Sequence, residues 1–368
     1  MSDWWHLPGP SRLLDVMERD LRAGLSLLIQ MPPTSPVGLR DSLGARVRSN
    51  DLWMWRQLDW AERENNETPA EFLVRRLTAD ICPWADGASF ARAPSACGIV
   101  AWVQGLKPED WRAWTQFVED FDHAVRDAPN DHPVVVLPLD GELACERIPA
   151  YAVARLHAMR EWIDRYDVAG FVWNRMRDRS LHPLHKMVAT AMCVELSGTD
   201  TCLAERLCVA DLNRLFAPFQ IIAELARERG WSGPAPHGWS TGADEYWDNR
   251  MRRTSCASAS EADHAEITRR VWRAQIGVLF PFIEEQRVRL LRELRPYWRV
   301  PFNTRFGVIQ EIEGLEVTHM SMLAQENGAP RSIVRLLERL SAMRHSLAHL
   351  TPIELRVLED TELLQPNH

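Results

Sequence analysis

The sequence predicts an α/β fold: a mostly parallel, five-stranded sheet with helices on both faces, followed by an all-α C-terminal region. Three observations predict it. Short apolar runs of strand length recur through the first half, at 25–31, 52–58, 98–103, 132–137 and 168–173. Helical patterns lie between them, over 38–48, 69–79, 108–127 and 149–166, so each strand returns through a crossover and the strands run parallel. From about residue 180 onward the strand-length runs stop and the spacing is helical.

In chain order, residues 11–23 read as a helix with Ser11 as its N-cap. The run Leu25-Ser-Leu-Leu-Ile-Gln-Met31 is the first strand, and Pro32-Pro33-Thr34-Ser35-Pro36-Val37-Gly38 breaks it before the next helix. Pro69, after Thr68, and Pro108, before Glu109-Asp110, stand where first-turn prolines are favoured. Beyond the sheet, 184–196 and 211–229 are helices. Residues 232–263, rich in Gly, Ser, Pro and Ala, read as a linker or long loop. A long amphipathic helix follows over 264–295, kinked at Pro281. Further helices are expected over about 307–326, from about 330 through Met343, and after Pro352. These patterns divide the chain into an α/β domain at 1–175, a helical subdomain at 176–231, the linker at 232–263 and a helical domain at 264–368.

Composition bounds the function. Hydrophobic residues make up 46% and charged residues 26%, ordinary globular values, and the net charge of -8 argues against a protein that coats nucleic acid. Among 43 basic residues only Lys107 and Lys186 are lysine, so any step needing an ammonium group has two candidates. The seven cysteines are scattered, form no CxxC, and fit a reduced cytoplasmic protein. No stretch of 18 uncharged apolar residues offers a membrane span.

The first strand–turn–helix is where a nucleotide-binding protein of this layout holds phosphate. A working phosphate loop needs glycines for close backbone approach, a Lys for the β/γ charge and a Ser or Thr for Mg²⁺. Here three prolines each remove a backbone donor. Gly38 is the only glycine, no lysine is near, and Arg40 does not replace an ammonium group. The 98–103 strand ends in Gln104-Gly105 rather than in an acidic pair, while Asp140 and Glu142 follow a different strand. In layout, residues 11–230 resemble the STAND class of P-loop NTPases in a version whose nucleotide motifs have decayed. That resemblance implies a five-stranded P-loop NTPase-like sheet that hydrolyses no nucleotide and serves as a sensor or regulatory module in a bacterial defence or toxin system.

One short segment carries residues suited to chemistry: Arg344-His345-Ser346-Leu347-Ala348-His349-Leu350. Arg-x4-His on a helix puts both side chains near one face. The Arg can stabilise a developing phosphorane and the His can act as acid or base on a ribose 2′-OH, without metal. A second such pair, Arg177/His182, lies in a charged loop. The first resembles the Arg-x4–6-His motif of HEPN-type helical domains over residues 264–360, with Arg344, His345 and His349 at the matching positions. That resemblance implies a metal-independent ribonuclease that dimerises. Between His264 and His349 thirteen Arg face nine Glu, so RNA, if bound, is expected along Arg287, Arg292 and Arg295. His345 and His349 stand at i, i+4, and His182, His185 and Cys193 lie close in sequence. Neither set has the further ligand that would complete a metal site, and no cofactor is expected.

Two functional readings result. In one, the decayed NTPase-like half senses a partner and the helical half cleaves RNA. In the other, both halves are catalytically silent and a Trp-rich surface docks a protein from the same system, the chain acting as an adaptor.

Overall fold

A computed structural model describes residues 3–49, 53–78, 86–127, 132–304, 307–359 and 363. The chain divides into two compact units. The first comprises Met1–Phe171, Thr199–Cys202 and Ala235–Thr254, and the second Val172–Gly198, Leu203–Pro234 and Ser255–His368.

The first unit opens with α1 (Pro8–Arg22), β1 (Ser26–Gln30), α2 (Leu39–Arg48) and β2 (Met54–Asp59). It continues through α3 (Pro69–Leu77), α4 (Gly87–Ala91), β3 (Ile99–Gln104), α5 (Trp111–Asp127), β4 (Val134–Leu139) and β5 (Ala154–Ala158). The five strands form one all-parallel sheet in the order β2-β3-β4-β1-β5. Every residue of β1 and β4 is buried, so both faces of the sheet are covered, as continuous apolar strands require. On one face Leu28, Ala101, Val135 and Leu137 pack against Phe72 of α3, Phe90 of α4 and Trp114, Phe117 and Phe121 of α5. The alternating residues face α1 and α2, which pack against β1 and β2. The β3–β4 ladder ends at Trp102↔Val136, before Pro138, which has no N–H to extend it.

The fifth strand differs from the expectation. Residues 168–173 lie inside α6 (Arg165–Met176), and the strand is Ala154–Ala158, within the stretch read as helix. A six-residue apolar run does not distinguish a strand from a buried helix. Capping decides it: Asp164 accepts the N–H groups of Tyr166 (2.7 Å) and Asp167 (3.1 Å), and Asp167 accepts that of Asp164 (3.2 Å). The true strand was masked by its polarity, because an edge strand exposes Arg155 and Leu156. Likewise α1 starts at Pro8 rather than after Ser11, its first turn set by Pro8 and Pro10. Leu52 and Ala79, the ends of two expected elements, lie outside the described residues.

Helices dominate from here: α7 (Pro183–Ser197), α8 (Thr201–Val209), α9 (Leu212–Phe216) and α10 (Phe219–Glu228). The single helix expected over 211–229 is two, separated at Ala217-Pro218. The stretch expected as a linker is ordered. It forms the hairpin β6 (Asp244–Trp247) and β7 (Arg250–Arg253), which belongs to the first unit, and then α11 (Ser255–Ser260). Asp248 and Asn249 both have positive φ (50° and 61°), the backbone of a two-residue hairpin turn.

In the second unit α12 (His264–Glu293) continues through Pro281, where an interruption is expected from the sequence. The proline is exposed, and Gly277 at the position four residues earlier gives the backbone room to adjust. The helix packs on α7, with Gln275 fully buried between them: its amide donates to the Ile353 carbonyl (2.8 Å) and accepts from the Ile353 N–H (2.6 Å). The expected 307–326 helix is instead the end of a hairpin, β8 (Phe302–Thr304) and β9 (Gly307–Ile309), followed by α13 (Val317–Glu326). Helices α14 (Arg331–Ala348) and α15 (Leu355–Leu358) complete the chain. Among the described residues no helix is long and apolar enough to cross a membrane.

Candidate functional site

The carboxyl ends of parallel strands are where open α/β sheets bind ligands, and in this sheet β1 leads directly into the proline-rich turn. That turn is stiff and covered. Pro32, Pro33 and Pro36 offer no N–H, and the Ser35 N–H is spent on the Pro32 carbonyl (2.9 Å). The Trp5 indole N–H donates to the Val37 carbonyl (2.9 Å), fixing the run into Gly38, whose φ of 95° begins α2. Loop 239–246 closes over the other side: a Cβ on Gly242 would stand 3.1 Å from Thr34 Cγ2. The space left between Thr34, Ser35, Met159, Trp239 and Tyr246 is about 20 Å³, enough for a water and far below the several hundred Å³ of small-molecule sites.

The remaining positions at this edge are held by one another. Arg40 donates to Gln104 (3.2 Å) and to Asp41 (3.1 Å), and Gln104 donates to Asp59 (3.2 Å). Asp59 in turn caps the Ala61 N–H (2.9 Å). Arg40 is therefore engaged with side chains, while Arg160 lines the small cavity beside the turn. Asp140, after β4, has its pKa raised by partial burial.

In the second unit, Arg344, His345 and His349 come together at the end of α14. The two imidazoles are exposed, with ring centroids 4.3 Å apart, and His349 is the C-cap residue. Arg344 points elsewhere: it bonds Glu316 (2.8 Å), stands 3.6 Å from Glu284 and lies over the Phe280 ring. A guanidinium flanked by two carboxylates has its charge largely compensated before any phosphate arrives.

Of the arginines expected to hold RNA, Arg287 is committed to Glu284 (2.7 Å) and to the Glu313 and Leu315 carbonyls. Arg292 and Arg295 are exposed and pair with no other described residue. The surface around Arg287 and Arg292 also carries Glu284, Glu285 and Glu293, so it is mixed rather than basic.

The tryptophans answer the expectation of a Trp-rich docking surface. Trp4, Trp5, Trp60, Trp102, Trp114 and Trp247 are buried, and Trp60 meets Trp114 edge-on at 5.1 Å. They are core residues, and among the described tryptophans Trp173 is the exposed exception. The described residues hold no cluster of three or more His, Cys, Asp or Glu able to bind a metal; Cys82 lies outside them.

Residue-level reading passed over Arg12, Arg160, Tyr166 and Tyr246, which line an open cleft in the first unit. Their signal is the polar, aromatic run Arg160-Glu161-Trp162-Ile163-Asp164-Arg165-Tyr166, which falls within the helix expected over 149–166. Comparison with protein-family profiles, with curated proteins and with solved structures finds no match to this chain.

Proposed function

We propose that this chain is a STAND-like regulatory module that hydrolyses no nucleotide and works by binding a protein partner from the same bacterial defence or toxin system. The β1–α2 turn carries this reading: three prolines, an indole clamp on Val37 and a cavity of about 20 Å³ leave no seat for a triphosphate. Support also comes from Arg40, which is tied to Gln104 and Asp41 where a phosphate loop needs a free cation. In a phosphate-release assay with Mg·ATP, purified protein is expected to match the buffer blank. Turnover that vanishes in Arg40→Ala would remove the reading. Co-expressed with a neighbouring gene product, the chain is expected to co-elute with it at a fixed ratio.

The second reading is a metal-independent, HEPN-like ribonuclease acting through Arg344, His345 and His349. The exposed, closely spaced pair His345/His349 at the end of the helix that carries Arg344 favours it, and the carboxylates of Glu284 and Glu316 on Arg344 speak against it. RNA incubated with the protein in EDTA is expected to stay intact. Cleavage that disappears in His349→Ala would make this the function.

A further inference from the structure

Two cysteines of the second unit meet in its interior. Cys193 lies on α7 and Cys208 in the last turn of α8, and both are free and buried. Their thiols hydrogen-bond each other. Side chains that already face one another satisfy the first geometric demand of a disulfide, that the two Cβ–Sγ vectors converge. A buried cysteine commonly serves as a small hydrophobe. This pair is set apart by the contact between its sulfurs and by a fixed cation beside one of them.

The cation is Arg179, which donates to the Cys208 carbonyl (2.8 Å) and lies 3.8 Å from the Met176 Sδ. The Cys193 hydrogen bond and the guanidiniums of Arg179 and Arg175 pull the Cys208 pKa down, against its burial and the Glu205 carboxylate. Cys193 is pushed well up by its hydrogen bond to Cys208 and by burial. The two thiols are therefore unequal: Cys208 is the one suited to react as a thiolate, and Cys193 the one suited to resolve the product. Solvent begins one residue beyond Cys208, at Val209, which is 81% exposed.

We propose that Cys193 and Cys208 form a redox modification site, which a hydroperoxide closes to a disulfide tying α8 to α7. With hydrogen peroxide, the Cys208 thiolate attacks one oxygen and the O–O bond breaks. Cys208 becomes a sulfenic acid, and the leaving hydroxide takes up the proton that Cys208 gave up. The Cys193 sulfur then attacks the Cys208 sulfur, and the departing hydroxide carries off the Cys193 proton as water. Two thiols are oxidised and one peroxide is reduced, giving one disulfide and two waters. The proposal goes beyond the regulatory reading and uses no residue of the β1–α2 turn, so either can fail alone.

Peptide mass spectrometry of the full chain tests it. Reduced protein is treated with hydrogen peroxide, its remaining thiols are capped with N-ethylmaleimide in denaturant, and the chain is cut with trypsin. Peptides 187–206 and 207–214 are expected to be joined, and to separate after dithiothreitol. Because 187–206 also carries Cys202, the link should persist in Cys202→Ser and vanish in both Cys193→Ser and Cys193→Ala. Arg179→Ala should slow closure several-fold, since it removes the cation that favours the thiolate. An unchanged rate overturns the role given to Arg179. Recovery of Cys193 and Cys208 both capped, at a peroxide dose that oxidises the exposed Cys97 or Cys145, overturns the proposal. So does Cys208 found as sulfinic acid beside a capped Cys193, or a link that survives Cys193→Ala.

Discussion

Gly9 shows how tightly the first unit is closed around one residue. A Cβ there would stand 2.2 Å from both Asp167 Oδ2 and the Trp162 carbonyl, and its N–H feeds Asp167. Gly9→Ala is expected to destabilise the protein by about 1–3 kcal/mol, the cost of overpacking, read as a lower urea midpoint. His157 gives a pH signature. It is buried in β5 with Nε2 3.0 Å from Asp20, and burial lowers its pKa while Asp20 pulls it back up. Because the folded value lies below the unfolded value of about 6.5, the stabilisation is complete above the unfolded pKa and is lost as pH falls toward the folded one. Acidification from about pH 7.5 to about pH 5.5 should lower the melting temperature, and His157→Gln should flatten that dependence. A melting temperature that rises on acidification, and does so equally in both proteins, would contradict the assignment.

Elements that two short-range signals agree on were legible from sequence. β1, β3 and β4 are continuous apolar runs bounded by turn residues, and α3 begins at Thr68-Pro69-Ala-Glu71, a complete capping box. Elements whose identity depends on tertiary context were not. β5 is polar because it is an edge, and 168–173 is apolar because that face of α6 is buried. The Asp248-Asn249 turn was a readable hairpin signal hidden in a Gly/Ser/Pro-rich stretch. Asn249→Ala, at a φ of 61°, should cost roughly 1–2 kcal/mol and loosen β6–β7. In the second unit Gln275→Leu removes both bonds to Ile353. It should lower stability by roughly 1–3 kcal/mol for the buried amide left without a partner, measurable as faster hydrogen exchange at Ile353.

For the whole molecule, the sequence located the decisive place better than it described the chemistry around it. The missing lysine and glycines were visible in residues 30–40. What closes the turn was not, because Trp5, Gly242 and Trp239 come from distant parts of the chain. The Arg344–His349 spacing was equally visible, and the carboxylates that engage Arg344 come from α12 and from the start of α13, a pairing no local pattern encodes. The proposed regulatory reading rests on a β1–α2 turn that is packed and nearly closed.

The most direct measurement is calorimetric titration of Mg·ATP into the full chain. The account predicts no saturable heat, because the prolines and the 239–246 loop occupy the space a triphosphate needs. Saturable binding that an Arg40→Ala substitution abolishes would place a triphosphate at the β1–α2 turn and contradict it.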